Sequence, residues 1–376
     1  MTALAIMFWV SAGLLLYAHA GYAGLLALIA RLRSGRRVAP PADSAPPNVS
    51  VIVAAYAEER VIAARVANLL ALEYPRERLD VIVACDGSPD GTAERARAAG
   101  ADLVLELPRG GKIRAQDAGV SRARGEIVAF SDANTLWEPQ ALRRLVLPFT
   151  DPRVGYVCGE VRLVSDRGTN QEGLYWRYEM ALRRLESQVR SVTGGNGAIY
   201  ATRREDYLVV DPIMGHDLSF PFNMVKRGRL ALYAPNACAS EKMVPSIEGE
   251  FARKRRMMSH TWPIVVRGGM LDPRGYGPLY TLMIFSHRVL RYCTPFLHVT
   301  ALISSAALLG HGWVYAVALA LQIAVLAAAA VAGTLPIRPL LLARYYVLTT
   351  ASLAAGLWDW VRQGTSAAWE PAEGTR

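Results

Sequence analysis

Cysteine is scarce and scattered in this chain. The four cysteines, Cys85, Cys158, Cys238 and Cys293, form no C-x-x-C pair. The six histidines show no zinc-ligand spacing. A disulfide framework and a zinc module are therefore excluded, and ordinary buried thiols in a reduced compartment fit the pattern. The phosphate-loop pattern G-x-x-x-x-G-K-[ST] is missing, and no internal repeat is present. Charge is also thin, at 20% of 376 residues, whereas 52% are hydrophobic. That much apolar content excludes a disordered or collagen-like chain.

The missing charge is concentrated. Met1 to Ala30 holds no Asp, Glu, Lys or Arg, and about 20 such residues suffice to span a bilayer core. Arg31, Arg33, Arg36 and Arg37 follow, as expected on a cytoplasmic flank. Thr294 to Thr334 is equally uncharged, and Gly310-His311-Gly312 divides it into two spans joined by a tight turn. A third stretch, Leu340 to Trp360, is weakened by Arg344 and Asp359. The expectation is one N-terminal and two or three C-terminal spans. If the tail is cytoplasmic, the last stretch must be re-entrant or interfacial. The predicted divisions are an N-terminal helix (1–31), a basic, Pro-rich linker (32–47), a soluble-type domain (48–266), a juxtamembrane segment (267–293), C-terminal helices (294–360) and a tail (361–376).

Between the membrane segments the pattern changes. Val51–Ala55, Leu79–Ala84, Asp102–Leu105 and Glu126–Ser131 read as strands. Glu59–Leu72, Gly91–Ala99 and Lys112–Ala123 read as helices. This alternation implies β-α-β crossovers and a mostly parallel sheet, with ligands binding outside the strands' carboxyl ends. Glu58, Asp86 and Asp132 fall at three such ends. Residues 174–189 form an amphipathic helix, packed on the domain or lying on the membrane.

Several segments carry chemistry. Cys85 to Thr92 (CDGSPDGT) is a strand–turn–helix passage in which Ser88 or Asp90 suits a helix cap; its carboxylates suit a base or ribose. Arg109-Gly110-Gly111-Lys112 is a glycine turn opening a helix, suited to a phosphate or simply a solvated charge. Asp132 and Asn134, two apart past a strand, suit a hard divalent cation completed by diphosphate oxygens. Asp217 is either an N-cap or a general base. In Arg253-Lys254-Arg255-Arg256, Arg253 or Arg256 suits a diphosphate, with a solvated face or anionic lipid as alternatives. Nucleic acid is not expected as a partner, with only four charges beside a membrane anchor.

In order, these pieces resemble the membrane-embedded family 2 glycosyltransferases, relatives of cellulose, chitin and hyaluronan synthases and of ceramide glucosyltransferase. "VIVAAYAEE" looks like the first strand and nucleotide loop. "CDGSPDGT" is similar to the uridine-binding segment, and "GGKIRAQDAG" to G-K-x-x-A-L-N-x-G. "FSDANT" sits at the metal-binding D-x-D, "GGNGAIYATRR" at the acceptor loop, "GHD" at the base motif and "RKRRM" at Q-x-x-R-W. The resemblance implies a GT-A fold, Rossmann-like but without G-x-G-x-x-G, flanked by transmembrane helices in a bacterial inner membrane, with the catalytic domain cytoplasmic. It implies that Glu58, Asp86, Lys112 and Asp132 contact the nucleotide, and that Asp132 and Asn134 hold Mg²⁺ or Mn²⁺. It gives Asp217 the role of base and Arg253 and Arg256 the diphosphate. Gly195, Asn196, Gly197 and Trp262 would lie on the acceptor side. The implied reaction is inverting transfer from a UDP-sugar to a polysaccharide or lipid acceptor, with export or synthase subunits as further partners.

Three positions depart from the family pattern. Asn134 replaces the second Asp of D-x-D, His216 replaces the acid before the base, and Arg253 and Met257 replace the Gln and Trp of Q-x-x-R-W. A second expectation follows from these: a catalytically weak, sugar-nucleotide-binding scaffold subunit. A permease is disfavoured by the size of the soluble-type domain.

Overall fold

Val49–Ala55 is uncharged and every residue in it is buried, and it becomes the central strand β1. Further strands are β2 (Leu79–Asp86), β3 (Leu103–Leu107) and β4 (Ile127–Asp132). All four are parallel, β1 lying between β2 and β4 and β3 outside β2. Helices Ile62–Leu70, Thr92–Ala98 and Lys112–Arg122 make the crossovers. The computed structural model describes residues 1–33, 45–164, 171–242 and 246–367. Residues 34–44 of the expected linker and 368–376 of the expected tail, including Trp369, lie outside the described residues, as do the side chains of residues 171–175, including Leu174.

The sheet extends beyond its parallel half. Four strands not foreseen in the sequence, β5 (Leu136–Trp137), β6 (Val154–Val164), β7 (Tyr200–Arg203) and β8 (Leu230–Lys242), complete the order β3-β2-β1-β4-β7-β6-β8-β5. β7 runs antiparallel to β4 and β6, β5 runs antiparallel to β8, and β6 and β8 are parallel. The expected mostly parallel sheet is thus one half of a mixed one. Glycines within β6 and Pro235 in β8 hide these strands, and the β6–β8 register slips at Gly159/Glu160.

Among the described residues, three helices are long and apolar enough to cross a membrane: Thr2–Leu32, Trp313–Val331 and Arg338–Gln363. The first contains a π-helical turn, Tyr17–Gly21. A shorter helix, Thr294–Ala307, leads into the second through Gly310 (φ +91°) and Gly312 (φ +147°). Trp313–Val331 exposes Val317, Leu321, Ile323 and Leu326, as a helix does when lipid is its solvent.

The C-terminal helix Arg338–Gln363 is held differently. It packs on the basic helix Ile247–Val266. Arg344 bonds Glu248 at 2.7 and 3.0 Å, and Arg255 bonds Asp359 at 2.6 Å. Trp262 donates to the Leu353 carbonyl at 2.9 Å. Thr365, just beyond the helix, donates to the Ser259 carbonyl at 2.7 Å. Arg344 and Asp359 lie about 22 Å apart along the helix axis, yet both are tied to the basic helix. This geometry fits a helix lying along the membrane surface, with both ends on the side of the mixed-sheet domain. In a chain with its native cysteines replaced by serine, single cysteines at Arg338 and Gln363 should react with an impermeant maleimide from the same membrane face. Reaction from opposite faces would show a crossing helix.

Candidate active site

The sheet's carboxyl edge carries the site, and the loops there are knitted before any ligand arrives. The Ala57 amide donates to Ser88 Oγ at 3.2 Å, the Glu58 amide to Thr92 Oγ1 at 2.9 Å and the Glu59 amide to Asp90 Oδ2 at 3.2 Å. The turn after β2 thus braces the turn after β1. Asp86 is 1% exposed. It accepts from Arg109 Nη1 at 2.9 Å and from the Gly110 and Gly111 amides at 2.6 and 2.9 Å. Arg109 in turn lies over the Tyr56 ring, 3.2 Å from its centroid. In this arrangement Asp86 latches the glycine turn and does not line the cavity described below.

A continuous cavity of about 940 Å³ opens at this edge, a volume suited to a ligand of nucleotide-sugar size. Of the sequence-predicted residues, Glu58, Lys112, Asp132, Asn134, Gly195, Asn196, Gly197, Asp217, Arg253 and Arg256 line it. Trp262 does not. Helix phase turns its ring toward the C-terminal helix, where it packs near Tyr292. That expectation is corrected to a packing position.

Lys112, the first residue of its helix, forms an ion pair with Asp132. Burial alone would lower the lysine's pKa, but the charges of Asp132, Asp217 and Glu241 overcome it and raise the value. Glu241, at the end of β8, lies in the cavity wall. Burial, and then the Asp132 charge, push its carboxyl pKa up. The Asn134 amide donates to Glu241 at 3.4 Å. Two carboxylates and an amide oxygen thus gather on one wall. Among the described residues no group of three or more His, Cys, Asp or Glu could hold a metal alone. The donor set fits a hard divalent cation that takes its remaining ligands from a diphosphate.

Asp217 lines the same cavity, in the first turn of helix His216–Lys226. Gly215 is the N-cap, so Asp217 does not cap this helix through its side chain. A Cβ on Gly215 would lie 2.6 Å from Asp217 Oδ1, so glycine leaves room for the carboxylate. The Asp217 carbonyl accepts from the Gly195 amide at 2.6 Å, which ties the carboxylate's position to the glycine turn. Gly195 has no room for a side chain, because a Cβ there would meet Tyr156 Oη at 1.9 Å. Asn196 is structural within the same turn: it donates to the Gly159 carbonyl at 2.8 Å and accepts from the Ile199 amide at 2.9 Å.

His216 is 2% exposed. Its Nδ1 meets Tyr200 Oη at 2.9 Å and its ring packs on Phe220, 4.2 Å between centroids. Burial, and then Lys112, push its pKa down to about 3. At neutral pH His216 is therefore uncharged.

Sequence reasoning missed Glu241 and Gln116. Gln116 is 1% exposed, and neither polar atom of its amide has a hydrogen-bond partner among the described residues. It lines the cavity beside Lys112, as suits an amide awaiting a polar ligand. Its place one turn along the helix from Lys112 was the available signal.

Two predictions follow from this geometry. Gly215→Ala should displace the Asp217 carboxylate, lowering kcat by about 10² while leaving nucleotide affinity intact; steady-state kinetics and calorimetry check this. The depressed His216 pKa means the unfolded chain binds the extra proton first. Its contribution to stability is therefore complete above pH 6.5 and is lost as pH falls toward 3. Between pH 7 and 5 that loss should be about 2 kcal/mol. His216→Phe should show a shallower fall in denaturant midpoint over this range.

Comparison with known proteins now bears on the site. The family description "Glycosyl transferase family 2" matches residues 50–208. A beta-monoglucosyldiacylglycerol synthase of Synechocystis sp. is 31% identical over 214 residues, covering 51% of this chain and 42% of the relative. A poly-beta-1,6-N-acetyl-D-glucosamine synthase of Staphylococcus aureus is 30% identical over 120 residues, covering 31% and 29%. The chain thus spans less than half the length of these two relatives. Among solved structures, the mannosyltransferase PcManGT of Pyrobaculum calidifontis, in complex with GDP-Man and Mn²⁺, superposes with a TM-score of 0.74 at 25% identity. That match covers 95% of this chain and 100% of the other. The fold is of the GT-A kind expected from the sequence.

Proposed function

We propose that this chain, whose residues 50–208 form a glycosyl transferase family 2 domain, moves a sugar from a nucleoside diphosphate donor to an acceptor hydroxyl by a single inverting displacement. The observation that carries this reading is that Asp217 lines the same cavity as the Lys112–Asp132 pair. A donor diphosphate against that pair places its anomeric carbon toward Asp217. Asp217 takes the proton of the acceptor hydroxyl as that oxygen bonds to the anomeric carbon. The bond from that carbon to the diphosphate oxygen breaks, and the nucleoside diphosphate leaves with the electron pair. Lys112 and Arg256 meet the developing negative charge, and positioning with charge neutralisation supplies the rate.

Mg²⁺ or Mn²⁺, when bound by Asp132 and Asn134 with Glu241 beside them, supplies further neutralisation of the leaving diphosphate. Glu58, Gln116 and Lys112 line the donor end. Asp86 acts on the nucleotide through the Arg109–Gly111 turn that it latches. A UDP-sugar fits the likeness of residues 85–92 to a uridine-binding segment, whereas the GDP-Man of the similar solved structure makes a guanosine donor the comparison. Glycolipid or polysaccharide synthesis at a bacterial inner membrane, with the catalytic domain cytoplasmic, fits the apolar helices and the synthases matched above.

The deciding experiment is nucleoside diphosphate release by the purified full chain. UDP- and GDP-sugars are offered with Mn²⁺ or Mg²⁺ and added lipids, with Asp217→Asn as the blank. Release with one donor, absent from the variant while donor affinity persists, is expected. Near-normal turnover by Asp217→Asn would sink the base assignment, and donor binding without turnover would favour a scaffold subunit.

A further inference from the structure

One side chain of the cavity carries hydrogen-bonding capacity that the folded chain leaves unused. Gln116 is 1% exposed, and neither its amide nitrogen nor its amide oxygen meets a partner among the described residues. A buried amide in that state costs stability, because the water it gave up is not replaced. Other polar groups of the cavity and of the same helix are engaged. Tyr200 Oη meets His216 Nδ1 at 2.9 Å, Tyr207 donates to Asp117 at 2.6 Å, and Lys112 pairs with Asp132.

Helix geometry aims the amide. Gln116 stands four residues after Lys112 in helix Lys112–Arg122, so the two side chains share one face. Cα–Cβ bonds tilt toward a helix's N-terminus, which directs the Gln116 amide back toward the turn that carries Lys112. Both residues line the same cavity. Another face of the helix is pressed onto the sheet: Ala115 clusters with Ala54 and Ala84, and a Cβ at Gly119 would lie 2.6 Å from Ile52 Cγ2. The approach to Lys112 is kept clear by Gly197, where a Cβ would lie 3.2 Å from Lys112 Nζ and 3.6 Å from Asp132 Oδ2. Asp217 lines the same cavity, and its charge acts on Lys112. Gln116 therefore lies one helical turn from the space bounded by the Lys112–Asp132 pair and Asp217. The transferase reading puts the donor's sugar ring in that space.

We infer that Gln116 is a specificity-determining residue whose amide reads two adjacent hydroxyls on one edge of the donor's sugar ring. One hydroxyl accepts from Nε2 and its neighbour donates to Oε1, which satisfies both ends of the amide. A carboxylate on the ring only accepts and would leave Oε1 unpaired, so the site selects a neutral sugar over a uronic acid. A pocket built to bond a hydroxyl rejects an analogue that lacks it, because its own buried group is then stranded. This inference rests on the transferase reading above and adds the feature of the donor that the cavity selects.

The test uses the purified full chain in detergent and calorimetry, which needs no turnover. UDP-glucose, UDP-galactose, UDP-N-acetylglucosamine and GDP-mannose are titrated first, and the tightest-binding donor becomes the probe. Analogues of that donor, each with one ring hydroxyl replaced by hydrogen, are then titrated into wild type, Gln116→Met and Gln116→Leu. Loss of either of two adjacent hydroxyls should weaken binding to wild type roughly tenfold, and binding to the variants by no more than about twofold. Affinity for free UDP and GDP should not move in either variant. The denaturant midpoint should not fall, because an apolar side chain of similar size replaces an unpaired amide. A flat analogue series in wild type, or the same dependence in wild type and both variants, overturns the inference and leaves the transferase reading standing. A lowered denaturant midpoint in both variants also overturns it, since the amide would then be satisfied within the fold. Sugar turnover is followed in the same preparations. Donor binding with no turnover counts against the transferase reading itself, while the affinity series still decides the role of Gln116.

Discussion

The backbone at Gly194 and Gly195 has to pass where no side chain fits. Tyr156 blocks a Cβ at Gly195, and Arg288 Nη2 would lie 2.5 Å from one at Gly194. The turn packs against Lys112 and Asp132 on one side and Arg183 and Arg288 on the other. Its amide at Gly195 holds the backbone of Asp217. Because that amide and that carbonyl are each other's partner, Asp217 cannot shift without leaving a buried polar group unpaired. The Lys112–Asp132 pair, Asp217 and Arg288 are spaced by one turn.

Electrostatics organises what surrounds it. Asp132, Asp217 and Glu241 all act on Lys112, which keeps its charge despite burial. Burial and the Asp132 charge raise the cost of ionising Glu241. A site with this balance gains from added positive charge when a diphosphate arrives. The neighbouring His216 is kept neutral by the opposite effect, burial without a compensating anion.

Much of this was legible in the sequence. The first four strands and three crossover helices are local patterns of apolar runs and glycine turns, and they appear within a few residues of expectation. Lys112, Asp132 and Asn134 stand out in the sequence as candidates because each sits next to a strand end or helix start that the pattern marks, and the cavity gathers them. Trp262 was placed wrongly because one helical turn decides whether a ring faces a cavity or a neighbouring helix, and the neighbour was unknown. Asp86 was expected at the nucleotide, but its carboxylate is taken up by amides of a turn more than twenty residues away in the chain.

The sequence by itself determined the parallel half-sheet, the apolar helices and the order of acidic residues along the strand ends, because these depend on spacing between near neighbours. The tertiary structure decided which distant groups share a wall. Glu241 reaches Asn134 from β8. The Glu179, Glu186, His287 and Arg291 cluster is assembled from segments a hundred residues apart. The C-terminal helix is as apolar as a membrane span, yet ion pairs near both ends hold it to the basic helix. No period in the chain encodes such meetings. They arise when the sheet closes and buried charges find partners, because an unpaired charge in that interior costs more than the folded state tolerates.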